Sequence, residues 1–198
     1  MKTFVKNVLV GLCLTATILF VSSVTARAQV MGHSGDIAGY AGYLYVSDQN
    51  HDISTSDNHG IYGFNGGYNV SPYVAIIGEY GFAPLYSQSG DSVHGQLYGG
   101  GARFNFNPNS RVVGYGVFTV GGDKFSLSGG GTSESINGYY FGFGGGASCY
   151  VGKNWGIRPE FKYLRPEGSS GGVSQSFNSF AMTGGVFVQF GGTAKKKK

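Results

Sequence analysis

Arg158, Glu160 and Lys162 occupy alternate positions of the stretch WGIRPEFKYL and so project from one side of an extended chain. A carboxylate between two cations can hold an anion, move a proton, line an ion path or close an internal salt-bridge network. Glu79, in VAIIGEYGF, and Arg103, in YGGGARFNF, are isolated in the same way, each a single charge among small and apolar neighbours. Buried together, three positive and two negative groups must pair, because an unpaired buried charge is very costly. Structural ion pairing is therefore expected of Glu79, Arg103, Arg158, Glu160 and Lys162, with pore lining as the alternative.

Other chemistry is poorly supported. His33, His51, His59 and His94 lie ahead of or beside polar runs, and no serine and acid accompany them in a hydrolase pattern. Asp48, Asn50, Asp52 and Asp57 offer oxygens to a cation, but they lack the turn glycine and closing glutamate of a calcium loop. Cys13 falls in an apolar leader, which leaves Cys149 without a disulfide partner and reading as a small apolar filler. No catalytic residue, cofactor or metal site is expected, and the chain is not expected to be an enzyme.

The charged side chains need a scaffold that alternates. On their stretch, Trp155, Ile157, Pro159, Phe161 and Tyr163 take the other face. Tyr98, Ala102, Phe104 and Phe106 oppose Gly99, Gly101, Arg103 and Asn105 in the same manner; Phe141 and Phe143 oppose Gly142 and Gly144. Eight such segments are expected, at about 37–47, 61–69, 73–83, 94–107, 112–121, 138–151, 155–164 and 177–190. Polar loops (48–60, 84–91, 122–135 and 165–175) follow segments one, three, five and seven, and short turns follow two, four and six. Long loops thus gather at one rim and short turns at the other, the asymmetry of an outer-membrane barrel. The chain has 37 glycines and 29 Tyr plus Phe. An eight-stranded lumen is only wide enough to be filled by side chains. Glycine and the charges are therefore expected inside and the rings outside, facing lipid. Tyr73, Tyr115, Tyr139, Tyr150, Trp155 and Tyr163 are expected to form aromatic belts at the membrane–water interfaces.

Residues 1–28 read as a secretory signal peptide: Lys2 and Lys6, an apolar core too short to span, then Ala26-Arg27-Ala28 for cleavage. Residues 29–35 lead into a barrel at 36–191, and a basic tail, 192–198, carries Lys195 to Lys198. The formal charge of +4 resides in these ends: without Lys2, Lys6, Arg27 and the four tail lysines, seven basic residues face ten acidic ones. No basic patch for nucleic acid remains.

These pieces, with the DIAGYAGYLYVS opening, the NVSPYVAIIGEYGF turn and strand, the GFGGGASCYVGKNWGIRPEFKYL hairpin and the GGVFVQFG ending, resemble the small eight-stranded outer-membrane β-barrel family, similar to the transmembrane domain of outer membrane protein A. The resemblance implies an all-β, eight-stranded antiparallel up-and-down transmembrane β-barrel in the outer membrane of a diderm bacterium. It implies a monomer in contact with outer-membrane lipid and lipopolysaccharide and handled by the barrel assembly machinery. Phe190 matches the terminal aromatic read by that machinery, although eight residues follow it. Lys195 to Lys198 would reach the cell wall if they have a partner at all. Members of the family stabilise the envelope, adhere, conduct or, rarely, modify lipids. A structural barrel with exposed loops is the expected role, with a narrow channel and a loop-borne adhesin as alternatives.

Overall fold

The computed structural model describes residues 30–47, 58–88, 91–129, 132–170, 173–176 and 178–192. The expected leader, the acidic group Asp48, Asn50, Asp52 and Asp57, His51 and the lysine tail lie outside the described residues. Among the described residues nine strands follow in order: β1 (Ser34–Ser47), β2 (Asn58–Asn69), β3 (Val74–Gln88), β4 (Asp91–Phe106), β5 (Val112–Gly129), β6 (Thr132–Tyr150), β7 (Trp155–Ser170), β8 (Val173–Ser176) and β9 (Asn178–Gly191). From β1 to β7 each pairs antiparallel with the next, and β9 pairs with both β7 and β1, so the sheet closes. The four-residue β8 pairs with the far end of β7, on the edge that β9 occupies lower down. The wall therefore has eight strand positions and is an all-β antiparallel barrel, and closure leaves no unpaired edge to be satisfied in lipid.

Alternation fixes what each face meets. Ile37, Phe64, Ile76, Phe104, Phe118, Phe143, Phe161, Met182, Val186 and Val188 all stand exposed on the outer wall. An apolar band of this extent is found on a surface that meets lipid rather than water. Pro159 also faces outward. The β6–β7 ladder passes from Gly146↔Glu160 to Cys149↔Ile157, so register is kept while the pairs at Pro159 and Arg158 are absent. Proline has no N–H to give a ladder.

The short turns lie at one rim. At the first, the N–H groups of Tyr73 and Val74 donate to Ser71 Oγ at 3.2 and 3.1 Å. At the second, Asn107 takes a left-handed φ of 52°, a conformation asparagine tolerates well, and its carbonyl accepts from Ser110 N at 3.1 Å. The third brings Val151 N and Gly152 N to the Trp155 carbonyl at 3.1 and 3.0 Å.

The opposite rim differs from expectation. Most of 84–91, 122–135 and 165–175 is paired strand, not loop: β3 and β4 pair out to Gln88↔Asp91, β5 and β6 to Gly129↔Thr132, and β7 and β8 to Ser170↔Val173. Cross-strand hydrogen bonds serve polar alternating segments as well as apolar ones, and two strands already in register extend cheaply. The first strand pair also grows, since His59 and Gly60, expected in the first loop, belong to β2.

Candidate functional site

Every charge expected inside is inside. Arg103, Arg158 and Lys162 are buried on β4 and β7, while Glu79 on β3 and Glu160 on β7 point into the same lumen. A sixth member comes from β1, where Asp36 is 4% exposed. It restores the balance that the five alone lacked, three carboxylates against three cations.

The six form two groups. Near the turn rim, Asp36 is shared by two guanidinium groups: Arg158 Nη1 lies 2.9 Å from its Oδ1, and Arg103 Nη2 makes a short contact to its Oδ2. Asn69 Nδ2 donates to Asp36 at 3.4 Å, and Arg158 Nε donates to Ser148 Oγ at 3.2 Å. The Arg158 guanidinium also stacks 4.5 Å from the centre of the Phe187 ring, and that of Arg103 lies 5.8 Å from Tyr115. Further from this rim, Lys162 Nζ sits between Glu79 Oε2 at 2.6 Å and Glu160 Oε1 at 3.2 Å. Tyr140 donates to Glu79 at 2.8 Å and Tyr115 to Glu160 at 2.9 Å. Arg103 Nε is left without a hydrogen-bond partner among the described residues; the near-saturation of the rest matters more than any single bond, because a buried ion pair repays its desolvation only when the remaining lone pairs and protons are also satisfied.

The lumen is not filled by small residues alone. Tyr115 and Tyr150, expected in the outer belts, are buried inside at 3% and 7% exposure, and Tyr40, Tyr140 and Phe187 also point inward. The wall makes room for them. A methyl group built on Gly81 would come 2.9 Å from the Tyr40 hydroxyl, one on Gly99 2.7 Å from the Tyr140 hydroxyl, and one on Gly146 2.6 Å from the Tyr115 hydroxyl. Rings thus lie against bare backbone of the adjacent or next-but-one strand, where Tyr115 reaches Glu160 at 2.9 Å and Tyr150 reaches Gln189 at 2.5 Å.

Of the other expected belt residues, Tyr73, Tyr139 and Trp155 are exposed on the outer wall. Tyr163 is half-buried there between Phe143 and Phe180, with ring centres 5.0 and 5.3 Å away. Phe190 is outward at the end of β9, its ring over Gly35, where an added methyl would fall 2.3 Å from the ring.

Above the charges, toward the long hairpins, the lumen turns apolar: Leu44, Ile61, Ala83, Tyr140, Leu164 and Ala181 pack together, with Leu97 against them. Asp123 lies opposite Leu97 at 0% exposure, and neither of its carboxylate oxygens has a hydrogen-bond partner among the described residues. On the outer wall, Ser92 Oγ is 3.4 Å from His94 Nε2, and His94 Nδ1 has no hydrogen-bond partner among the described residues. His33 is held near the turn rim beside the Tyr68 hydroxyl, far along the barrel from His94. Cys149 is buried, with a free thiol. No cluster of three or more possible metal ligands occurs among the described residues.

A closed antiparallel sheet with an apolar outside and a hydrogen-bonded ionic inside is a transmembrane β-barrel, for such a surface can be solvated only by lipid. The chain belongs to the outer membrane protein beta-barrel domain family, whose model matches residues 14–190. Among solved structures it is similar to Neisserial surface protein A, with a TM-score of 0.65 and 17% identity over 79% of this chain and 97% of that one. It is also similar to the N-terminal barrel domain of OprF from Pseudomonas aeruginosa, with a TM-score of 0.58 and 16% identity over 81% and 99%. The attachment invasion locus protein Ail of Yersinia pestis gives a TM-score of 0.54 and 18% identity over 79% and 99%. These likenesses concern the fold. No curated protein matches the chain at a significant level.

Proposed function

We propose that this protein is a sealed outer-membrane barrel, an envelope component that anchors long hairpins at the cell surface and does not conduct. The observation that carries the reading is the pair of charge groups, Asp36–Arg103–Arg158 and Glu79–Lys162–Glu160, which cross the lumen with almost every member buried and saturated. A water path would leave those groups hydrated and exposed. The reading includes export by a leader cut after Ala28, anchoring of Tyr73, Tyr139, Trp155 and Tyr163 at the interfaces, and recognition of Phe190 during assembly. It includes contact with lipopolysaccharide on the outer leaflet and a monomeric state. Its test is conductance in planar bilayers. The refolded protein gives no steps above background; discrete, reproducible steps would overturn the sealed-lumen reading in favour of a narrow channel.

One observation favours a role for the hairpins themselves. β5 has 18 residues and β6 has 19. At about 3.3 Å per residue and a tilt of roughly 40°, 18 residues rise about 45 Å, against an apolar band about 25 Å tall. Some 20 Å of paired strand, by the same estimate, stands clear of the hydrocarbon. Ail, similar in fold, has been crystallised with the heparin analogue sucrose octasulfate. If the hairpins here also bind a surface partner, shortening β5–β6 abolishes binding while the barrel keeps its heat-modifiable electrophoretic migration.

A further inference from the structure

The segment ahead of β1 does not hang free below the barrel. Val30 is 4% exposed and packs inside with Ala38, Val113, Tyr150 and Phe187, residues of β1, β5, β6 and β9. Its N–H donates to the carbonyl of Pro108 at 3.0 Å. Pro108 belongs to the turn between β4 and β5, and in the ring of eight strand positions β5 stands directly across from β1. The chain therefore crosses the mouth at the turn rim from one wall to the other before it enters β1.

Both ends of this crossing are fastened. At the β1 end, His33 adopts a left-handed φ of 55°, an uncommon conformation for a residue with a side chain, and its N–H donates to the Asn69 carbonyl at 2.7 Å. Ser34 Oγ donates to the Met31 carbonyl at 2.5 Å. Gly32 lies against Pro72 of the first turn, and Gly192, with a φ of 89°, lies close under Met31, where an added methyl would meet Met31 Cβ at 2.7 Å. At the far end, Val30 is fixed by Pro108 and by the apolar cluster. A strained backbone residue persists only where its surroundings over-determine it. Here three turns or strand ends do so.

We propose that Val30, Met31, Gly32 and His33 form a strap that closes the turn-rim mouth, so that the lower lumen opens to the periplasm only when the strap is displaced. Without it, Val113 and Phe187, both at 0% exposure, would face the opening. The strap covers one side of the floor, and the charged groups meet its other side at Phe187, under the Arg158 guanidinium; on the sealed-lumen reading those groups block the lumen with or without the strap. Its displacement exposes the apolar floor without creating a conducting path.

The test places a thiol on that floor. Val113→Cys is made in a Cys149→Ala background, and the protein is purified from the membrane into detergent micelles. It is then treated with a charged maleimide, and only the folded, heat-modifiable band is scored. With the strap intact, labelling is slow. Val30→Asp, which places a charge in the apolar cluster, speeds it at least tenfold, and Val30→Gly speeds it less. Should Val30→Asp not fold, Val30→Gly is read alone. Labelling of the folded band at the parent rate in the variant read overturns the strap. Bilayer conductance of the same samples stays at background, so a failure of the sealed lumen would register separately from a failure of the strap.

Discussion

Replacing Asp36 by Asn removes one charge and almost no volume. Two guanidinium groups, each with about 5% of its side chain exposed, then share a neutral amide in place of a carboxylate. Removing one partner of a buried ion pair costs about 3–5 kcal/mol, because the remaining charge stays desolvated. With a urea dependence of about 2 kcal/mol per molar, the unfolding midpoint falls by roughly 2 M. The chain contains one tryptophan, Trp155, on the outer wall, so its fluorescence in detergent micelles reports unfolding without added probes. A triple variant, Asp36→Leu with Arg103→Met and Arg158→Met, regains most of the loss, since well-packed apolar groups replace a buried ionic cluster at little cost. A fall of less than about 0.5 M for Asp36→Asn, roughly 1 kcal/mol on the same scale, would mean that water already reaches both arginines. That result would remove the physical basis of a sealed lumen.

Gly81→Ala sets a methyl group against the Tyr40 hydroxyl and costs about 1–3 kcal/mol by overpacking. The cost shrinks in a Tyr40→Phe background, and a double-mutant cycle on urea midpoints measures the difference; equal costs in both backgrounds would refute the ring-on-glycine packing. Asp123→Leu removes a carboxylate with no hydrogen-bond partner among the described residues and raises stability by about 1–3 kcal/mol, read as a higher urea midpoint, as expected when an unsatisfied buried polar group is exchanged for an apolar one. A lowered midpoint would show that water or another partner solvates that carboxylate.

Much of this barrel is legible in the chain because strand alternation is a local property. Arg158, Glu160 and Lys162 declare a common face by spacing alone, and the closed sheet carries them into the lumen unchanged. Asp36 is missed by placing the first strand at 37, three residues later than it begins, which drops the residue that balances the charges. Tyr115 and Tyr150 are misplaced for a different reason. Nearness to the turn rim suggests an interfacial belt, but face is set by parity, and both share parity with inward neighbours such as Val113 and Ser148. The glycines that receive the inner rings lie on other strands, so no local pattern reveals the fit. The hairpin extensions beyond Ala83, Gly121 and Leu164 are rich in Gly, Ser and charged residues and read as loops, although backbone pairing does not need a continuous apolar face. Val30 carries no periodic signal at all; its burial depends on the turn across the barrel.

The bond between Asp36 and Arg158 joins residues 122 positions apart, and the strand that seals the ring, β9, comes after all the other described strands. Until β9 seats between β7 and β1, Asp36 cannot be enclosed with both of its arginines, and each of these groups still gains by staying hydrated. The ionic cluster therefore rewards only the completed ring. A strand that slips by two residues keeps its inward and outward faces, so hydrophobic patterning does not detect the error, yet the slip carries the charge about 6–7 Å away from its partners. The six charges thus act as a checksum on register, read once, at the moment the last strand docks.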